Sequence, residues 1–254
     1  LEQRQRRLVR SEKLASLGVL VSGVAHELNN PLSNVSTSCQ LAMEEVDQAD
    51  PAALRMWLTQ IDAETERARQ IVLALSDYAR RRPLTLEPVP VRNLLEATLL
   101  LVRKELGRQV ALDWETPEEM AVLADRQRLQ QVFINLLKNA VDAGAKTIRI
   151  QARPLEPGAP VLMGGRYRLG EPPNPTGHRY GLLTIADDGT GIAPNHLEHI
   201  FDPFFTTRDV GQGMGLGLYI VQEIVQELDG CIGVDSEPGR GTRFEIALLC
   251  AGEN

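Results

Sequence analysis

From residue 14 to residue 46, apolar or small side chains recur at steps of three and four: Leu14, Leu17, Val21, Val24 and Leu28, then Leu32, Val35, Cys39, Ala42 and Val46. That rhythm predicts a coiled-coil-like helix with a single apolar seam. It resumes after "DQADPAAL" as Leu54, Leu58, Ile61, Thr65, Ala68, Val72, Leu75 and Ala79. Asp50 can cap this second helix and Pro51 suits its first position. Arg80, Arg81 and Arg82 suit its negative end, and Pro83 stops it. Two long helices joined by a short loop form an antiparallel hairpin, which covers only part of its two seams; a second copy completes a four-helix bundle. A structural stalk or dimerisation module would show the same pattern.

From about residue 87 the period changes. "VRNLLEATLLLVRKEL" (91–106) reads as a helix, "QVALDWET" and "AVLAD" as strands, "RQRLQQVFINLLKNAVDA" (126–143) as a helix, and "KTIRIQA" and "YGLLTIADD" as strands. Helices and strands interleaved in this way predict one mixed domain. The stretch between the last two strands, 154–177, is rich in Pro and Gly and reads as a long surface loop.

The chain has 254 residues, 43% of them hydrophobic, which is material for two modest cores. A formal net charge of −7 disfavours non-specific nucleic-acid binding. Cys39, Cys231 and Cys250 are odd in number, far apart and free of metal-ligand spacing, as expected in a reducing compartment. No apolar run approaches the roughly 20 residues of a membrane span, and the charged N-terminal stretch does not resemble a signal peptide. A soluble, cytoplasmic piece is expected, with any membrane attachment supplied by segments absent from this chain.

Polar groups interrupt the apolar patterns at four places in the second half. In "NLLKNAVDA", Asn135 and Asn139 stand four apart, with Lys138 and Asp142 three residues beyond each, so a polar stripe runs along an apolar helix. A neutral amide oxygen is a good hard ligand for Mg²⁺, and mid-helix asparagines have no capping role. "TIADDGTGI" ends an apolar strand in Asp187, Asp188, Gly189 and Gly191, where a carboxylate can accept from the amino group of a base and glycines allow close backbone approach to a flat ligand. "GQGMGLGLYIVQEIV" brings Gly211, Gly213, Gly215, Leu216 and Gly217 into a helix N-terminus, which offers unpaired N–H groups to phosphates. It is not a Walker loop, because no Gly-Lys-Ser/Thr follows. "EPGRGTRFEI" adds Gly239 and Gly241 in what could equally be a hairpin turn.

Upstream, "HELNNP" sets His26, Glu27, Asn30 and Pro31 into the first helix. His26 lies off the 21-24-28 seam and should face outward. A neutral imidazole nitrogen can attack a phosphoryl group, and an unperturbed pKa of about 6.5 leaves histidine mostly neutral near pH 7. Asn30, four residues on, shares its face, and Pro31 removes a helical hydrogen bond near it.

Taken in order, "HELNNP", the Asn helix, the Asp-Gly-x-Gly strand end, "FDPFFTTR", the glycine-rich loop and the terminal Gly-x-Gly hairpin resemble the H, N, G1, F, G2 and G3 boxes of sensor histidine kinases over about residues 11–250. The resemblance implies a multidomain α and α+β protein. Residues 1–83 would be a dimerisation and histidine-phosphotransfer hairpin, and residues 87–250 an ATP-binding α/β sandwich of the gyrase, chaperone and histidine-kinase type. It further implies ATP and Mg²⁺ as cofactors, a homodimer, and a response-regulator receiver domain as partner. Under it His26 is the phosphoacceptor, Glu27 its proton acceptor and Asn30 the residue that orients a water for dephosphorylating the regulator. Asn139 ligates Mg²⁺ with Asn135 beside it, Lys138 and Arg208 lie near phosphates, and Asp187 accepts from the adenine amine. Gly213, Gly215 and Gly217 belong to the phosphate-side lid. Two departures stand out: Asp188 replaces the commoner asparagine, and Arg208 stands where lysine is frequent. A related ATPase that does not phosphorylate itself and an ATP-binding scaffold dimer are the competing readings.

Overall fold

The computed structural model describes residues 25, 28–46, 50–79, 84–106, 110–155, 167–169, 179–208 and 215–252. These fall into two compact units. One takes the residues numbered up to 82 together with those of 203–216, and the other takes 83–202 and those from 217 onward.

In the first unit a helix over 28–45 (α1) is followed by Pro51–Ala79 (α2). The Asp50-Pro51 start works as its chemistry predicts. The Ala52 amide donates to Asp50 Oδ1 at 3.2 Å, and the Ala53 and Leu54 amides donate to the Asp50 carbonyl. Pro31 lies inside α1 and is buried, while Asn30 before it is exposed. Trp57 and Ile71 are buried. Four seam positions are not: Leu32, Val46, Leu58 and Val72 are about half exposed or more, with Leu58 at 62%. One hairpin therefore leaves much of its apolar seam uncovered. A polar tie crosses between the helices, where Asn34 Nδ2 donates to Glu64 Oε1 at 2.9 Å. The seam positions before Ala25 and the Arg80–Pro83 stop lie outside the described residues.

The second unit contains β1 (Glu87–Pro90), α3 (Val91–Leu106), β2 (Ala111–Glu115), β3 (Ala121–Ala124), α4 (Arg126–Asp142), β4 (Thr147–Pro154), β5 (Tyr167–Leu169), β6 (Tyr180–Asp187), α5 (Gly217–Glu227), β7 (Cys231–Glu237) and β8 (Gly241–Leu249). β1 pairs antiparallel with β3 in a small sheet. The large sheet has the order β2-β4-β6-β8-β7-β5. β2 and β4 run parallel, and every other neighbour is antiparallel.

Register explains the core. Ile148, Ile150 and Ala152 of β4 face Asp187, Ile185 and Leu183 of β6, and Ile185 and Leu183 face Phe244 and Ile246 of β8, which in turn face Val234 and Ile232 of β7. Because side chains alternate with a period of two, these residues share one face, and nearly all are buried. α3, α4 and α5 pack side by side and close that face. α4 contributes Leu129, Val132, Phe133, Leu136, Leu137 and Ala140, the inner side of its amphipathic pattern. A smaller cluster of Leu155, Leu182, Cys231 and Ala247 lies on the opposite face of the sheet.

Two strands depart from the sequence reading. β1 contains Pro88 and Pro90 and still pairs, because it has a single neighbour and needs amides on one side only. β5 lies inside the stretch read as a loop and forms a three-residue edge strand on β7. No helix among the described residues is long and apolar enough to cross a membrane.

Candidate functional site

α4 is the organising element. Its N-cap Asp125 accepts from the Gln127 and Arg128 amides at 3.0 and 3.2 Å and, through its other oxygen, from the Thr85 amide. Once the six apolar residues face the sheet, the polar stripe is fixed on the other side. Asn135 Nδ2 donates to the Gly217 carbonyl at 3.2 Å. A Cβ placed on Gly217 would stand 3.7–3.8 Å from the Asn139 amide, so Asn139 borders the same residue at the start of α5. Asn139 Nδ2 is buried and has no hydrogen-bond partner. Lys138 and Asp142 lie on the exposed part of the stripe.

The C-terminal end of α4 meets the strand-end turn. The Thr190 amide donates to the Ala143 carbonyl at 3.0 Å. A Cβ on Gly189 would lie 2.8 Å from the Ala143 Cβ, closer than side chains tolerate. Gly191 (φ 69°) backs onto the Glu237 carbonyl, and Gly241 (φ 90°) onto the Asp187 carbonyl. These three glycines are thus required by backbone packed against backbone, whatever they offer a ligand.

The two aspartates of this turn divide the work. Asp187, at an inward position of β6, is half-buried, and its Oδ1 accepts from the Gly189 amide at 2.9 Å. Burial pushes its carboxyl above the ordinary range; the Gly189 and Thr242 amides pull it back, and neighbouring Asp188 pushes it up again. Asp188 points outward. Its Oδ1 accepts both the Lys146 and Thr147 amides at 2.7 and 2.8 Å, and the Thr147 amide above all holds its carboxyl below the ordinary range. The hairpin closes the turn from the other side. Gly239 N donates to Thr190 O at 2.8 Å and Ile192 N to Ser236 Oγ at 2.8 Å.

Within the other unit, Phe204 N donates to Gly215 O at 3.1 Å, and both residues have positive φ, 68° and 65°. Phe204 thus holds a left-handed backbone that a bulky residue seldom adopts. Arg208 N donates to Thr206 Oγ1, and Leu216 is buried. His26, Glu27 and Gly213 lie outside the described residues. In sum, α4 brings together Asn135, Asn139, Gly217, Gly189 and, through Gly189, Asp187.

Sequence reasoning missed Ser236 and Thr242, which are buried at 3% and 6% exposure. Their signal was a hydroxyl at an inward position of an otherwise apolar strand. Among the described residues no group of three His, Cys, Asp or Glu side chains could hold a metal alone. The amide of Asn139 still suits a hard cation whose other ligands come from phosphate oxygens and water, as Mg²⁺ on a nucleotide requires.

Residues 124–251 match the family described as histidine kinase-, DNA gyrase B-, and HSP90-like ATPase, and residues 16–84 match the His Kinase A (phospho-acceptor) domain. The chain is 34% identical over 244 residues to the sensor histidine kinase ZraS of Salmonella typhimurium, covering 94% of this chain and 47% of that protein. It is 32% identical to the sensor kinase CckA of Brucella abortus, covering 96% of this chain and 25% of the relative. It therefore spans between a quarter and a half of these relatives. Among solved structures, histidine kinase ThkA in complex with response regulator protein TrrA shares the fold at a TM-score of 0.66 and 24% identity, over 95% of this chain and 64% of that one.

Proposed function

The chain belongs to the sensor histidine kinases of two-component systems, and on that footing we propose that it is a kinase core that autophosphorylates His26 from ATP and passes the phosphoryl group to an aspartate of a response regulator. The observation that carries the reading is the linkage through α4. One helix borders the start of α5 with Asn135 and Asn139, and its C-terminal end, just beyond Asn139, holds the turn that carries half-buried Asp187. An acceptor carboxylate in the turn at the C-terminal end of α4, and one turn back along the helix an unpartnered amide beside the N-terminus of α5, suit the base and the phosphates of one nucleotide.

We assign residues 1–83 to dimerisation and phosphotransfer and 87–250 to nucleotide binding. Asp187 would accept from the adenine amine, and Asn139, with Asn135 beside it, would hold Mg²⁺. Lys138, Asp142, Arg208, Gly213, Gly215, Leu216 and Gly217 would complete the phosphate side. Bound Mg²⁺ would supply neutralisation of the phosphate charge. His26 attacks the γ-phosphorus through one ring nitrogen as the bond to the leaving ADP oxygen breaks, and Glu27 accepts the proton from the other ring nitrogen. Asn30, exposed on α1, would orient the water that dephosphorylates the regulator. The half-exposed seam of the hairpin supports a homodimer.

The test is incubation with γ-labelled ATP. Wild type should take up acid-labile label, and His26→Ala should take up none while binding ATP as tightly. Phosphate release without labelling would favour a plain ATPase, and binding without either would favour a scaffold.

A further inference from the structure

The register of the small sheet shows which amides hold it. Glu87 faces Ala124 and Val89 faces Val122, and just past β1 the Val91 amide donates to the Met120 carbonyl at 3.0 Å. Bonding positions in an antiparallel ladder recur at every second residue, so Val91 fixes the phase. Glu87 and Val89 turn their amides to β3, and Pro88 and Pro90 fall where no amide is needed. Carried two residues the other way, the same register makes Thr85 the next bonding position, with Arg126 opposite. Arg126 is already the first residue of α4, so no strand stands there. The Asp125 side chain fills the gap, its Oδ2 accepting the Thr85 amide at 3.2 Å.

The same carboxylate caps α4. Its Oδ1 accepts the Gln127 and Arg128 amides at 3.0 and 3.2 Å. One side chain thus fastens the outermost rung of the small sheet to the N-terminus of the helix that carries Asn135 and Asn139. Asparagine and serine also cap helices well, but each has a single side-chain oxygen, which the cap would occupy. Of these three, the carboxylate alone does both. Thr85 and Asp125 lie in the same compact unit, close to where it begins at Pro83.

We propose that Asp125 is a positioning residue for phosphoryl transfer: by holding Thr85 it sets where the connection from the hairpin is made fast to the nucleotide-binding unit. The inference rests on the kinase reading above, in which His26 belongs to the hairpin and ATP to the other unit. The reacting groups are then carried by parts joined through one length of chain, and the free length of that chain sets how often they come into line. Without the tie the first fastened residue is Glu87, and two residues of extended chain add about 7 Å. A displacement of about 1 Å is already enough to slow a reaction that depends on alignment. Nothing that touches the nucleotide is removed.

The experiment measures autophosphorylation of the whole chain with γ-labelled ATP, ATP binding by calorimetry, and thermal melting. Asp125→Asn keeps the cap and drops the tie, and Thr85→Pro removes the donor amide while leaving Asp125 in place. Each should bind ATP within about twofold of wild type and take up label at least about tenfold more slowly, a loss in kcat with KM unchanged. The double variant should be no slower than either single one, because both remove the same interaction. A merely structural aspartate would behave differently: Asp125→Asn, a sound cap, would restore the wild-type rate, and only Asp125→Ala would lower rate, ATP affinity and melting together. Should Thr85→Pro fail to fold, Asp125→Asn and Asp125→Ser report by themselves. A folded Asp125→Asn or Thr85→Pro that labels at the wild-type rate or faster overturns the inference and leaves the kinase reading standing. Wild type that binds ATP and takes up no label overturns both.

Discussion

The side-chain amide of Asn135 reaches the carbonyl of Gly217 at 3.2 Å, across 82 residues of sequence, so the middle of α4 holds the first residue of α5. Asn139, one turn on, borders the same glycine with an unpartnered amide. The two asparagines should separate under mutation. Asn135→Ala should cost about 1 kcal/mol of stability, the usual net worth of one hydrogen bond, seen as a lower melting temperature. Asn139→Asp should lower autophosphorylation by more than about tenfold and also lower the melting temperature, because a carboxylate oxygen would replace a buried, unpartnered amide nitrogen.

Asp187 gives the pH dependence its sign. Its carboxyl is raised in the folded chain, by burial first. Between the unfolded and the folded value, the native state holds a proton that the unfolded state has released, so stability from this group rises as pH falls through that window and is lost as pH rises. Asp187→Asn should remove that slope and melt no lower than wild type at neutral pH. It should also bind ATP at least about tenfold more weakly, since an amide can present a donor to the base amine. Melting curves across the acid range, with calorimetry at neutral pH, check both halves.

Asp188 predicts an asymmetry between two substitutions. Both amides it accepts go to the same oxygen, Oδ1. Asparagine has such an oxygen and alanine does not. Asp188→Asn should therefore melt within about 0.5 kcal/mol of wild type near neutral pH, whereas Asp188→Ala should lose about 1 kcal/mol, a figure kept small because the site is exposed. The depressed carboxyl adds a second signature: its contribution is present above the unfolded value and disappears as pH falls through the folded one, and Asp188→Asn abolishes that dependence.

The hairpin seam yields a prediction about assembly. Leu58 is 62% exposed on a single hairpin and Leu32 54%. If a second copy covers them, Leu58→Glu places a charge in a buried seam and should raise the dimer dissociation constant by at least about tenfold, an effect of about 1.4 kcal/mol. Light scattering over a dilution series would read this, and an unchanged dimer would place the contact surface elsewhere.

Strongly amphipathic elements were legible from the sequence. The stretch read as a helix over 91–106 is α3, residue for residue, and α4 ends within one residue of its reading. Elements that depend on neighbours were not legible. Residues 87–90, with Pro88 and Pro90, carry no strand pattern of their own and pair only because β3 lies alongside, and Tyr167–Leu169 is too short to show a period. The Asp187-Asp188 pair is visible in the sequence, but its division of labour depends on the phase of β6 and on where Lys146 and Thr147 fall. Gly189 and Gly191 were read as ligand-facing and Gly241 as equally a hairpin turn, and what the structure shows behind each is protein backbone. Ser236 escaped notice because a serine near a hairpin reads as turn chemistry until the register turns it inward.

The turn over 188–192 is tied to α4 through Ala143, to β4 through Lys146 and Thr147, and to the hairpin through Gly239 and Ser236. Its ordering entropy is therefore lost once, during folding, and not again each time a ligand arrives. A recognition surface set in advance rejects a wrong ligand by enthalpic mismatch, with little of the discrimination drawn from loop ordering. Preference between two bases of similar size at this end should then weaken as temperature rises, as an enthalpic difference requires.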